Sequence, residues 1–354
     1  MRRRCRLRAP GTRCIFGPMI SIFDPRQLGH APERELHNGS WAPCAETPFR
    51  AENIVQAVGP GRPGRDFGMA PLLAVHPQDY LDFLAAAHRD WIAAGREGDA
   101  IGYTWPVVGR RTLRLDRIDA RLGRYSYDAG SPIAAGTWDA AYWSAQTALT
   151  ATDLVAAGTV RSAFALCRPP GHHAGADYLG GYCYLNNAAI AARAAARAGA
   201  GPVAILDIDY HHGNGTQDIF YDSGEIFFAS LHADPATDYP FYWGHADERG
   251  AGEGEGATLN LPLPRGTAVD AYLAALDGAL EAIARWGARF LVLSFGADTY
   301  EGDPISHFRL RTGDFTSLGA RIAALGVPTV VVMEGGYATS DLGANVAALL
   351  GGFD

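Results

Sequence analysis

Short apolar runs alternate along this chain with longer segments of helical period, and this pattern limits the folds that the chain can adopt. Five runs rich in β-branched and apolar residues stop close to Gly, Pro, Asp or His, and they cover residues 161–167, 203–209, 226–232, 290–298 and 329–336. Apolar runs this short and continuous are typical of strands that are buried on both faces of a parallel sheet.

Alanine-rich segments of helical period lie between these runs and after the last of them. They cover residues 137–157, 186–199, 268–286, 314–325 and 342–350. Strands that alternate with helices predict an α/β fold with a central, mainly parallel sheet and helices on both faces. Ligands bind beyond the carboxyl ends of the strands in such sheets, so we expect the functional residues there.

Length and composition exclude several classes of protein. The chain has 354 residues and is 48% hydrophobic, which allows one large core, and we expect a single domain over residues 19–354. The formal net charge of −8 argues against a nucleic-acid partner, which needs a clustered basic surface. No apolar run approaches the roughly 20 residues that span a bilayer, so we expect no membrane partner. All 30 basic residues are arginine, which excludes a Schiff-base lysine and a P-loop lysine.

The cysteines and the N-terminus bear on the location of the protein. The five cysteines form no C-x-x-C pair and no closely spaced framework, which favours a reducing, cytoplasmic setting. Residues 1–18 are basic but lack the apolar centre of a secretory signal. A strand-like segment, ISIFDP, follows Met19, and we interpret residues 1–18 as a non-native or disordered extension.

Residues 76–136 depart from the alternation of strands and helices. A predicted helix over residues 77–95 runs into a stretch that is rich in Pro, Gly and Arg and has weak periodicity. Long irregular segments in a compact domain are usually functional or lie in an interface. We therefore expect a long loop or an interface at this point.

The segment DIDYHHGNG, residues 207–215, carries the strongest chemical signal. It ends a predicted strand, and in extended backbone Asp209 and His211 point to the same side, where they can share a cation. Asp207 has the same parity and can orient its neighbours. Asp298 ends another predicted strand, and two Asp with one His leave an open position, as catalytic zinc requires. Without a metal, Asp209 and His211 would be a buried ion pair and Asp298 an Asx turn.

Two further elements follow predicted strands. His172 and His173 lie in CRPPGHHAG, where two prolines stiffen the turn, and adjacent imidazoles suit proton transfer near neutral pH. Tyr337 follows two glycines in MEGGY and can donate its phenolic proton to a developing oxyanion. Taken singly, the histidine pair could be a surface coincidence, and Tyr337 could be ordinary packing.

Six segments together resemble the arginase/deacetylase superfamily, and in particular the histone-deacetylase-like acetylpolyamine amidohydrolases. They are RPPGHHAG, GGYCYLNNAA, DIDYHHGNGTQDIFY, SLHADP, GADTYEGDPI and MEGGY. The similarity runs from about Met19 to the C-terminus. It implies the single-domain arginase/deacetylase fold and a zinc-dependent deacetylase of N-acetylated amines, with acetylpolyamines as the favoured substrates.

The resemblance also implies a metal site. Asp209, His211 and Asp298 would hold one Zn²⁺ per chain, which Fe²⁺ or Co²⁺ can replace, and a structural K⁺ is a further candidate ion. Tyr337 would polarise the amide carbonyl.

In the same resemblance His172 and His173 flank the reacting water, with Asp207 behind His172 and Asn214 behind His173. An asparagine carries no charge, so His173 should be harder to protonate than in relatives with aspartate there. We therefore assign the general base to His172.

The substrate channel follows from the resemblance as well. Gly181, Tyr182 and Tyr239 match positions that line the acyl-lysine channel of relatives, and two facing aromatic rings can clamp an aliphatic stem or a cation. Relatives carry glutamates at the rim, whereas the matching positions here hold Asp119 and Gly130. Asp128 is a candidate to replace the missing charge.

A segment at about residues 79–132 resembles the insertion that polyamine deacetylases use to dimerise and to narrow the channel mouth. It predicts a homodimer or a dimer of dimers that acts on slender acetylated amines. Three alternatives stay open: a binuclear arginase-type hydrolase, a deacetylase of acetyl-lysine in proteins or of other small acylated amines, and a non-catalytic module that binds acylated ligands.

Overall fold

The computed structural model describes residues 19–37, 39–107 and 114–354. The expectation for residues 1–18 therefore lies outside the described residues. The strands in these ranges are β1 (Ile20–Ile22), β2 (Arg34–His37), β3 (Ser40–Pro43), β4 (Ser162–Ala165), β5 (Val203–Asp207), β6 (Ile226–Ala233), β7 (Thr258–Leu263), β8 (Phe290–Phe295) and β9 (Thr329–Met333).

Seven of these strands form one sheet in the order β1-β4-β9-β8-β5-β6-β7, and every neighbouring pair is parallel. The other two, β2 and β3, form an antiparallel hairpin. The helices are α1 (Pro48–Val58), α2 (Ala70–Leu73), α3 (Gln78–Ala93), α4 (Ile118–Tyr125), α5 (Thr137–Ala156), α6 (Asn187–Arg197), α7 (Asn214–Phe220), α8 (Val269–Trp286), α9 (Thr312–Ala324) and α10 (Thr339–Gly351).

Successive residues of the central strands face two separate hydrophobic cores. In β5, Val203 and Ile205 pack on the side of α3, α5 and α6, whereas Ala204 and Leu206 pack on the side of α1, α8, α9 and α10. All four side chains are fully buried. A strand covered on both faces needs apolar residues at every position, which explains the continuous apolar runs. The predicted α/β class with helices on both faces is confirmed.

The structure also differs from the sequence-based expectation at several places. The strand expected over residues 203–209 ends at Asp207, so the residues that follow are not in extended sheet. The stretch after the helix at 77–95 is not wholly irregular, because α4 lies within it. The hairpin, α1, α7 and the edge strand β7 were not predicted; β7 contains a proline and α7 begins in a glycine-rich segment, so neither has a clear pattern.

The topology places four loops next to each other. The neighbours β4, β9, β8 and β5 all end at the same edge of the sheet, because parallel strands share a direction. Their following segments contain the histidine pair, Tyr337, Asp298 and the Asp209–His211 segment. No helix within the described ranges is both long and apolar enough to cross a membrane.

Candidate active site

Asp209, His211 and Asp298 converge beyond the carboxyl ends of β5 and β8. The Nδ1 atom of His211 lies 3.1 Å from Oδ2 of Asp298 and 3.3 Å from Oδ1 of Asp209. One ligand atom from each residue lies within 4.8 Å of the other two. Because β5 ends before Asp209, strand alternation does not cause this convergence; a turn does, in which the backbone N–H of His211 donates to Oδ1 of Asp209 at 2.9 Å.

The electrostatics of this cluster fit a bound cation. Asp209 and Asp298 are fully buried, and their ionic partners within the described ranges are histidines. Burial and the charge of Asp209 raise the pKa of Asp298 to about 7. Two buried carboxylates so close together repel each other unless a positive charge lies between them.

Two glycines leave room for the carboxylates to approach each other. A Cβ atom at Gly296 would lie 2.0 Å from Oδ2 of Asp209, and one at Gly335 would lie 2.6 Å from an oxygen of each aspartate. The N–H of Gly335 also donates to Oδ2 of Asp209 at 2.8 Å. Two carboxylates and one imidazole are a donor set that suits a divalent ion with an open position. The residues present therefore fit a metal ion.

His172 and His173 lie beside the Asp209–His211–Asp298 cluster with their ring centroids 4.0 Å apart. Nδ1 of His172 is 2.9 Å from Oδ2 of Asp207, and Nδ1 of His173 is 2.7 Å from Oδ1 of Asn214. Although burial opposes it, the charges of Asp209 and Asp207 raise the pKa of His172 to about 10. Burial and the neighbouring imidazoles of His172 and His211 hold the pKa of His173 well below its ordinary value.

Tyr337 is held by its backbone and by a buried arginine. Its N–H donates to Oδ2 of Asp303 at 2.6 Å, and the guanidinium of Arg50 lies 4.8 Å from the centroid of its ring. Arg50 also donates to the carbonyls of Glu334 and Gly336, each at 2.7 Å. Burial raises the pKa of Tyr337 well above its ordinary value although Arg50 opposes the shift, so the phenol keeps its proton.

A cavity of about 460 Å³ opens at this cluster, and its lining includes His173, His211 and Tyr337. Tyr182 and Tyr239 form part of its walls. The ring of Tyr239 lies 5.2 Å from that of His173, and the ring of Tyr182 lies 5.6 Å from that of Tyr337. The cavity walls beside His173 and Tyr337 are therefore aromatic.

Gly181 also lines the cavity, and the geometry explains why a glycine is needed there. Its φ is 54°, and a Cβ atom would lie 2.2 Å from Cδ2 of His173. A larger residue would push the imidazole out of place. Gly181 thus allows this wall of the cavity to pack directly against the imidazole of His173.

The two acidic residues that were expected at the rim differ in position. Asp119 is buried on α4, where Arg117 binds its carboxylate at 2.7 Å and Arg96 binds the other oxygen, and it is not among the residues that line the cavity. Asp128 does line the cavity. Its Oδ2 atom accepts hydrogen bonds from the hydroxyl of Tyr239 at 2.9 Å and from the N–H of Gly181 at 2.8 Å.

Several residues of the site region were not identified from the sequence, among them Glu35, His37, Arg50, Asp303 and Glu334. Glu35 accepts the hydroxyl of Tyr182 at 2.9 Å, and His37 lines the cavity; both come from the hairpin. Arg50 comes from α1, and Glu334 lies fully buried behind the histidine pair. Burial raises the pKa of Glu334 to about 7, although His172 opposes the shift. Asp303 and Glu334 stood in the motifs GADTYEGDPI and MEGGY, so a sequence signal existed for these two residues.

A parallel sheet with the Asp209–His211–Asp298 cluster at the carboxyl ends of its strands is typical of a metal-dependent hydrolase. Residues 47–353 match the histone deacetylase domain, and the chain belongs to the histone deacetylase family. It is an enzyme that hydrolyses amides. The family expected from the motifs is therefore confirmed.

Individual relatives cover nearly the whole chain. Acetylpolyamine amidohydrolase 1 of Pseudomonas aeruginosa is 50% identical over 345 residues, which are 95% of this chain and 99% of that protein. Acetylpolyamine amidohydrolase of Mycoplana ramosa is 49% identical over 340 residues, which are 94% of this chain and 99% of that protein. The crystal structure of acetylpolyamine aminohydrolase from Burkholderia pseudomallei superposes with a TM-score of 0.90 at 44% identity, covering 95% of this chain and 98% of that one.

Proposed function

We propose that this enzyme removes the acetyl group from N-acetylated amines and that acetylpolyamines are its substrates. The observation that carries the proposal is the convergence of the Asp209–His211–Asp298 cluster, the histidine pair and Tyr337 at one cavity. The relatives named acetylpolyamine amidohydrolases, which are similar over nearly their full length, support the choice of amine.

We propose Zn²⁺ as the ion of the Asp209–His211–Asp298 site, with Fe²⁺ or Co²⁺ as substitutes. One imidazole and two carboxylates suit each of these ions. When bound, such an ion polarises a carbonyl oxygen and lowers the pKa of water. A structural K⁺ elsewhere in the chain remains a prediction.

We propose that Tyr337 donates a hydrogen bond to the amide oxygen as negative charge develops there. Its phenol keeps its proton, and it faces the cavity beside the wall residue Tyr182. A donor held in place before the reaction stabilises the transition state without reorganisation.

We propose that the two histidines have different roles, and their hydrogen-bond partners favour roles that differ from the sequence-based assignment. An amide oxygen can only accept, so the contact with Asn214 places the hydrogen of His173 on Nδ1 and leaves Nε2 free to take a proton from water. The carboxylate of Asp207 stabilises a positive charge on His172. We therefore assign the base to His173, which then returns that proton to the leaving amine, and charge stabilisation to His172.

We propose that Asp128, rather than Asp119, attracts the cationic part of a polyamine. Asp128 lies in the cavity wall, whereas two arginines of the same chain already bind the carboxylate of Asp119. The two carboxylates thus have different charge environments. Tyr182 and Tyr239 supply faces against which an aliphatic chain can pack.

We also propose a homodimer, or a dimer of dimers, that uses the insertion at about residues 79–132. Ile92, Tyr103, Trp105 and Val107 are exposed by 48%, 65%, 39% and 73%, which is a concentration of apolar surface in this segment. A cytoplasmic location is proposed on Cys44, Cys167 and Cys183, which are buried and unpaired among the described cysteines.

A substrate panel tests the proposed function. Purified Zn²⁺-loaded protein is assayed with acetylated polyamines, acetyl-lysine peptides and short acylated amines, and the Tyr337→Phe variant serves as control. We expect the highest kcat/KM with acetylpolyamines. A higher kcat/KM with acetyl-lysine peptides would identify a protein deacetylase, and no hydrolysis of any amide by loaded protein would refute the proposal.

A further inference from the structure

Glu334 is a buried acid to which the proposed chemistry gives no role. It directly follows β9, and its side chain is 0% exposed. Its Oε2 atom accepts the N–H of Gly171 at 2.7 Å and the N–H of His172 at 3.1 Å. Its Oε1 atom accepts the hydroxyl of Ser294 at 3.0 Å. Three donors therefore converge on one carboxylate in the interior.

These three donors come from the segments on both sides of β9. Gly171 and His172 belong to the loop after β4, Ser294 belongs to β8, and β4 and β8 are the two neighbours of β9 in the sheet. Tyr337 lies three residues after Glu334. The side chain of Glu334 thus connects the loop that carries His172 to the end of β9, which leads to Tyr337.

The thiol of Cys183 lies near Glu334, so a second metal site is an alternative interpretation of this buried carboxylate. His172, Cys183 and Glu334 each place a ligand atom within 4.8 Å of the other two. However, both oxygens of Glu334 already accept hydrogen bonds, and Nδ1 of His172 faces Asp207. The thiol of Cys183 donates to the carbonyl of Gly181 at 3.3 Å, and burial raises its pKa well above the ordinary value. Hydrogen bonding, not metal ligation, accounts for the cluster.

We propose that Glu334 is a positioning residue, which fixes His172 for amide hydrolysis by binding the backbone N–H groups of Gly171 and His172. The inference rests on the proposed function and adds one residue to it. An imidazole is aimed by its backbone as well as by its side-chain partner, and a displacement of about 1 Å in an active site can cost about 100-fold in rate.

Three variants of Glu334 distinguish the effect of the position of its acceptor oxygens from the effect of its negative charge. Glu334→Gln keeps one oxygen for the two N–H groups and turns its amide nitrogen towards Ser294, so we expect kcat within about fivefold of wild type. Glu334→Leu has similar bulk and no acceptor, and we expect kcat to fall about 10- to 100-fold with KM within about twofold. Glu334→Asp keeps the charge but withdraws the oxygens, and it replaces the leucine variant should that protein fail to fold.

A double-mutant cycle provides the readout that a general loss of stability would not produce. If Glu334 acts through His172, Glu334→Leu should cause little further loss of kcat in a His172→Ala background. An equal loss in both backgrounds, or wild-type kcat in Glu334→Leu, would overturn the proposal. A glutamine variant as slow as the leucine variant would also overturn it, because position would then not be the cause.

Hydrogen exchange reports the same contact without any turnover. In metal-loaded protein, we expect amide protection of the peptide around Gly171 and His172 in wild type and Glu334→Gln, and faster exchange in Glu334→Leu. Unchanged exchange in Glu334→Leu would refute the contact even if wild type hydrolysed no acetylated amine. Failure of the substrate panel with the expected exchange pattern would instead refute only the proposed function.

Discussion

Replacing Tyr337 by phenylalanine removes one hydroxyl from the cavity and leaves its surroundings in place. The ring is held by the guanidinium of Arg50 at 4.8 Å and by the ring of Tyr182 at 5.6 Å, and phenylalanine can keep both contacts. The backbone bond from residue 337 to Asp303 does not depend on the side chain. The variant therefore isolates the phenolic hydrogen.

The expected loss can be estimated from comparable donors. Removal of one preorganised donor to a developing oxyanion costs about 100- to 1,000-fold in kcat, or about 3–4 kcal/mol of transition-state stabilisation. The hydroxyl makes no hydrogen bond with another described residue and lies outside the metal-ligand cluster. We therefore expect unchanged metal content and a change of less than about 0.5 kcal/mol in the free energy of unfolding.

Steady-state kinetics with an acetylpolyamine, metal analysis and urea denaturation of the same preparation measure these three quantities. We expect KM to change little, because the hydrogen bond strengthens only as charge develops. A kcat within about threefold of wild type would refute the assigned role. Loss of metal from the variant would show that the tyrosine supports the site rather than the reaction.

Three further predictions concern the surroundings of this centre. Asn214→Asp adds a carboxylate that favours the imidazolium form of His173 and so raises the pKa of that histidine. The acid limb of the pH profile of kcat/KM should therefore move up by about one pH unit. An unchanged acid limb would exclude His173 as the base. Asp128→Asn should raise KM for a cationic acetylpolyamine about tenfold. The KM for a neutral acetylated alkylamine should stay within about twofold of the wild-type value. Equal changes of KM for both substrates would contradict a role of Asp128 in charge recognition. Arg50→Met removes one of the two arginines that bind the buried carboxylate of Glu46, together with hydrogen bonds to two backbone carbonyls, and should lower the free energy of unfolding by about 2–4 kcal/mol in urea titrations. A loss below about 1 kcal/mol would show that Arg168 alone compensates the charge of Glu46.

The sequence predicts the parts of this molecule that have a strong local pattern. The five buried strands are continuous apolar runs, and the metal-ligand candidates stand where two of these runs end, at Asp209 and Asp298. The reason given for the Asp209–His211 pairing was nevertheless wrong, since β5 ends at Asp207 and a turn brings the side chains together. Residue identity was a better guide there than backbone geometry.

Residues that act across long chain separations were not accessible from the sequence. Arg50 reaches the carbonyl of Glu334, 284 positions away, and Glu35 reaches the hydroxyl of Tyr182, 147 positions away. Neither contact leaves a local spacing to detect. Asp119 shows a second limit of the sequence. Its position matches a rim position in the motif comparison, but that match does not reveal that Arg96 and Arg117 bind its carboxylate.

We propose that amide hydrolysis requires one metal ion, held by Asp209, His211 and Asp298. Titration of metal-free protein with Zn²⁺, in which bound metal and hydrolysis of an acetylpolyamine are measured together, tests this requirement. We predict that activity rises in parallel with binding and reaches its maximum at about one ion per chain, as expected for three protein ligands and one open position. Full activity before any metal is added, or a maximum at two ions per chain, would refute a requirement for one ion.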